Sequence, residues 1–179
     1  MFNDRYGLTQ AVLRGIKTHT RRICKEQYWS FSDIVNANEN QHFIFERPKF
    51  SIGEVVAIAQ PYRDTWIHTG YKTHLESKQV PGYDNKMFVR ADLMPHQIRI
   101  IGVKVERLQD ISGEDCIKEG IYMDEDPMNP QAFIYTYPNA PQWFFTPREA
   151  YAALIDRISG KGTWPSNPFV FAYDFKLVK

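Results

Sequence analysis

One stretch of eight residues carries most of the reactive chemistry: Gly15-Ile16-Lys17-Thr18-His19-Thr20-Arg21-Arg22. An amine beside a hydroxyl activates a nucleophile, provided the amine is neutral when it takes the proton. At an ordinary lysine pKa of ~10.4, neutrality at pH 7 costs about 4–5 kcal/mol, so the site must shift Lys17 for it to serve as a base. Strand alternation puts Lys17, His19 and Arg21 on one face and Thr18, Thr20 and Arg22 on the other. A strand's twist, or a turn at Lys17, would still bring Lys17 and Thr20 around one cavity. The wider charge pattern is lopsided. Arg5, Arg14, Lys17, Arg21, Arg22 and Lys25 occur with no acid among them. Between Asp110 and Asp126 the acids Asp110, Glu114, Asp115, Glu119, Asp124, Glu125 and Asp126 face Lys118 alone. Two solvated surfaces of opposite sign would give this pattern. So would a phosphate-contacting basic strip looking across at a carboxylate.

These residues need a frame, and 179 residues with 43% hydrophobic and 24% charged side chains suffice for one folded domain. The net charge of +1 excludes a polyelectrolyte partner recruited by the whole molecule. Two cysteines, Cys24 and Cys116, cannot build a disulfide framework, and the five histidines show no ligand spacing, so no metal or other cofactor is expected. No leader or membrane-length apolar run is seen, and the expected location is cytoplasmic. Aromatic residues reach 15%, either as β-rich core filling or as platforms for bases.

The periodicities predict a short helix over Gly7–Gly15, a strand over Lys17–Ile23 and a strand buried on both faces at Val55–Ala59. A longer strand spans Ile98–Leu108, with a phase slip at Ile101-Gly102 that signals a bulge. Ser112 caps a helix ending at Gly120, and Thr146-Pro147-Arg148-Glu149 is a capping box opening a helix with the apolar stripe Tyr151, Leu154, Ile155 and Ile158. Phe169–Leu177 is the final strand. Polar or proline-rich insertions fall near 28–45, 62–87 and 122–145, each read as loop. The fold class is α+β and mainly β: a small β-barrel with short flanking helices and long inserted loops.

Gly-x-Lys-Thr-x-Thr-x-Arg after a short helix resembles the signature of the ASCH family of PUA-like β-barrel domains. The likeness continues through Phe50–Val56, Arg99–Gly120 with Val105-Glu106-Arg107-Leu108-Gln109-Asp110-Ile111, and Trp164-Pro165-Ser166-Asn167-Pro168-Phe169-Val170. The last blocks are similar to a longer subgroup common in bacteria and phages. The resemblance implies RNA or a modified nucleoside as the partner. For some small members it implies amide hydrolysis on N4-acetylcytidine by a lysine, a threonine and a glutamate, which fall on Lys17, Thr20 and Glu119. Thr18, Arg21 and Arg22 are then expected to hold the ligand, and Tyr62, Trp66 and Tyr71, in the second insertion, to stack on its base. A non-catalytic RNA-binding module, a ribonuclease and a protein-interaction barrel stay open as alternatives.

Overall fold

The computed structural model describes residues 2, 4–24, 48–69 and 81–178, the side chains of 66–69 aside. The insertion near 28–45 and the candidate Tyr71 lie outside the described residues, as does the side chain of Trp66. In chain order the elements are α1 (Leu8–Leu13), β1 (His19–Ile23), β2 (Val55–Ala57), α2 (Tyr62–Thr69) and β3 (Gln97–Arg107). After them come α3 (Gly113–Lys118), β4 (Tyr122–Asp126), β5 (Asn129–Thr136), α4 (Pro147–Ser159), α5 (Thr163–Ser166) and β6 (Phe169–Leu177).

β1, β6, β3 and β2 form an antiparallel sheet in that order, curled into a half-barrel, and β4 pairs with β5 in a separate hairpin. β6 is the hub. Its alternation feeds two cores at once, because successive strand side chains point to opposite faces. Phe171, Tyr173 and Phe175 join Val12, Ile98 and Ile100 on one face, while Val170 joins Leu108, Ile111, Cys116, Ile121 and Leu154 on the other. A fully buried Leu, Ile or Phe contributes roughly 1.5–3 kcal/mol, so these rows fix the strand register. The slip in β3 is a bulge between Ile100 and Gly102. A Cβ on Gly102 would lie 2.7 Å from Asp174 Oδ2, so a larger residue there would have to displace that carboxylate.

The two cap signals form as expected. Ser112 Oγ accepts from Asp115 N at 3.0 Å, and Thr146 and Glu149 bond reciprocally at 3.2 and 3.1 Å at the head of α4. The stripe of α4, including the buried Tyr151, Leu154 and Ile155, packs into the second of those cores, with Val170 and Leu108.

Four expectations are corrected. The first strand starts at His19, leaving Lys17 and Thr18 in the preceding turn. β2 is no doubly buried strand: it ends the described sheet and leaves Val55 42% exposed. The 62–87 stretch is not all loop, because Tyr62–Thr69 is helical. The 122–145 stretch holds the β4–β5 hairpin, extended by a bridge from Tyr135 to Phe144. Its prolines sit where a missing amide does little harm: Pro127 in the turn, Pro130 near the start of β5, Pro138 and Pro141 beyond it.

Candidate functional site

Lys17 is set in place by local backbone geometry. The carbonyl of Ala11, in the last turn of α1, accepts from both Ile16 N (2.9 Å) and Lys17 N (3.0 Å), which turns the chain sharply before β1. Thr18 N then donates to Lys118 O at 2.9 Å, tying the turn to the end of α3. Glu119 follows as the C-cap of α3, and Gly120 at φ +103 reverses the chain behind it. Residues a hundred positions apart are thereby brought into contact.

The Lys17 ammonium is 2% exposed and donates to Glu119 Oε2 (2.5 Å), Glu119 O (2.8 Å) and His19 O (2.7 Å). Three hydrogens meet three acceptors, so in this geometry the group is a protonated, fully bonded cation. Burial lowers the Lys17 pKa below its ordinary value, opposed by Glu119 and assisted by Arg22 and Arg21.

Arg21 is committed inward rather than offered to a ligand phosphate, a correction to its expected role. Its side chain is 1% exposed; Nε donates to Glu106 Oε1 (2.7 Å), Nη1 to Glu119 Oε1 (3.2 Å) and Nη2 to Asp115 Oδ2 (3.2 Å). Burial would lower the guanidinium's pKa, but Glu119 and Glu106 outweigh it, so the pKa is raised. Glu119 therefore bridges, one oxygen to Lys17 and the other to Arg21. Burial pushes the Asp115 carboxyl up, and the Arg21 hydrogen bond and charge overcome it, leaving the pKa lowered. That contribution to stability is present above the ordinary carboxylate range and is lost as acid protonates the group.

Thr18 and His19 form a separate arrangement. Thr18 Oγ1 lies 3.0 Å from His19 Nδ1, and His19 Nε2 lies 2.9 Å from Asp174 Oδ1 across the β1–β6 pair. Thr18 is thus engaged by its neighbour. Arg22 is exposed and is one of the residues lining the cavity beside β1.

A cavity of about 180 Å³ opens beside β1. Lys17, Thr20, Arg21 and Glu119 give it a polar wall, while Phe2, Leu8, Leu154, Ile155 and Ile158 give it an apolar one. It holds roughly six waters' share of liquid volume, enough for one heterocycle and short of the roughly 300–1,000 Å³ of a drug-sized pocket. Thr20 is one of its lining residues, with no hydrogen bond to Lys17 or Glu119. Tyr62 does not: it is 4% exposed, its hydroxyl accepting from Arg90 N at 2.9 Å, so its ring cannot stack on a ligand. Among the described residues, no group of three or more His, Cys, Asp and Glu could hold a metal ion, and no helix is long and apolar enough to cross a membrane.

Sequence reasoning missed Glu106, Asp115 and Phe2. An acid at Glu106, inside an apolar alternation, was the available sign for the first. Tyr151, read as core stripe, borders the cavity as well, its hydroxyl buried and unbonded; burial raises its pKa well above the ordinary value.

Cys116 supplies a check on this packing. It is fully buried, and burial pushes its thiol up to about 12. In a Cys24→Ser protein at pH 8, Cys116 is expected to react with a disulfide reagent only at the rate of global unfolding. A fast reaction would mean that α3 opens locally.

No family model, curated protein or solved structure matches the chain.

Proposed function

We propose that the chain is an ASCH-type, PUA-like domain that takes a modified nucleobase into the cavity beside β1 and hydrolyses an amide on it. N4-acetylcytidine represents the substrate class. The observation that carries this reading is the buried Lys17–Glu119 contact in the wall of a cavity that Thr20 also lines. Burial already weakens the hold of Lys17 on its proton. Glu119 Oε2, 2.5 Å away, is the place for that proton to go. The neutral amine then takes the Thr20 proton as Oγ bonds to the acyl carbon. The C–N bond breaks, the leaving amino group takes the proton from Lys17, and water hydrolyses the acyl-threonine ester to release acetate. Hydrogen bonds of empty catalytic sites are commonly long and tighten when substrate binds, which is the step asked of Thr20.

The test offers N4-acetylcytidine to the purified chain and measures cytidine release. Lys17→Met is expected to lower kcat by about 10²–10⁴-fold, with Thr20→Ala inactive and Thr20→Ser partly active. Release no faster than in Lys17→Met removes the hydrolase reading. The complete acceptor shell of Lys17 favours a second reading, a non-catalytic RNA or nucleoside binder. Binding without turnover, weakening steeply with salt for RNA, would select it.

A further inference from the structure

Phe2 was absent from every motif, yet it lines the cavity together with Leu154, Ile155 and Ile158 of α4. Its ring sits 5.6 Å from that of Phe175, tilted by 46°, and the Lys17 ammonium lies 6.0 Å from its centroid. The segment carrying it is pinned. Lys86 Nζ donates to Phe2 O (3.2 Å), Asp4 Oδ1 (2.6 Å) and Thr9 Oγ1 (2.6 Å), with its own side chain only 8% exposed. A half-buried lysine with three acceptors, in the segment before α1 and in its first turn, is a fixed brace.

The cavity therefore has an ordered plan. Its lining combines the ionic and hydroxyl-bearing Lys17, Thr20 and Glu119 with the aromatic Phe2 and Tyr151 and the aliphatic Leu154, Ile155 and Ile158. An extended or bulky aliphatic ligand would leave the ring face unused, and a charged one would meet the aliphatic side. A flat, neutral heterocycle with a polar substituent uses every wall: ring against ring, substituent toward Lys17 and Thr20.

We infer that Phe2 is a specificity-determining stacking residue, held against the ligand ring by Lys86, and that it selects planar nucleobases over acyclic amides. The inference rests on the nucleobase reading above and adds the residue that would enforce it.

Four full-length proteins test it by equilibrium binding to N4-acetylcytidine and cytidine, with N-methylacetamide as the acyclic probe. Phe2→Leu keeps apolar contact with Phe175 and loses the π face; Phe2→Tyr keeps the face. Phe2→Leu is expected to weaken N4-acetylcytidine binding about tenfold, within the range of a base–aromatic stack, and Phe2→Tyr to leave it within about twofold. Lys86→Met, which frees the brace, is expected to weaken it about threefold to tenfold, with Tm checked for each protein. N-methylacetamide binding should be equally weak in all four proteins. Wild-type binding with an unchanged Phe2→Leu overturns the stacking role alone. Failure of the wild type to bind either nucleoside overturns it together with the proposed function.

Discussion

Glu119→Ala is expected to destabilise the protein by about 3–5 kcal/mol, the cost of leaving a buried charge without its partner. Glu119 is the single carboxylate that Lys17 and Arg21 share, and both cations are almost wholly buried. Its loss strands the Lys17 ammonium with two backbone carbonyls, while Arg21 keeps Glu106 and Asp115. For a chain of this size the effect corresponds to a Tm fall of roughly 6–20 °C. Urea denaturation followed by far-UV circular dichroism measures it, and a loss under 1 kcal/mol would mean that the pair is solvated. The double variant Lys17→Met/Glu119→Leu separates charge from shape. Replacing both partners with apolar side chains removes the desolvation cost as well as the attraction, so most of the stability should return. Turnover of an amide substrate should not. Stability restored with activity still absent would mark the pair as kept for chemistry.

Phe175→Ala is the second large expected loss, about 3–5 kcal/mol for an aromatic side chain removed from a packed core. Phe175 is 2% exposed at the centre of the sheet, among Ile98, Ile100 and Tyr173. It also backs Phe2, so the truncation reaches the cavity wall. Phe175→Leu should recover about half of the stability while leaving ring-ligand binding weakened, because Leu fills volume without fixing the angle of the neighbouring ring. Equal binding by Phe175→Leu and wild type would show that Phe2 holds its position unaided.

The sequence was most legible where a few neighbouring residues settle the outcome. Ser112, the Thr146–Glu149 box and the Ile101-Gly102 slip each depend on local hydrogen bonds or local alternation, and all three are present in the structure. Charge alone left the meeting of the basic turn with the acidic helix open, since two solvated surfaces give the same pattern, and Glu119 was singled out by the motif resemblance. Its internal arrangement was not legible. Arg21 carries the same charge whether it faces solvent or three carboxylates, and only the pairing of β1 and β3 with β6 brings it beside Glu106. The β4–β5 hairpin was hidden by prolines that fall at its turn and ends. Tyr62 reads as a loop ring until the Arg90 amide and Gly82 close over it. Phe2 offered no signal, since its neighbours Phe175 and Lys86 lie far away along the chain.

The position of β6 bears on how the molecule is made. The strand that comes latest among those described lies between β1 and β3, so while the ribosome is still elongating, β1 has no partner strand in this sheet and β3 has only β2. Arg21 and Glu106 sit on the two strands that wait for it. A nascent polypeptide stalled before residue 169 would thus carry Arg21 and Glu106 on strands not yet joined and the apolar rows that β6 covers bare. That makes premature termination a route to aggregation and degradation, not to a smaller working protein.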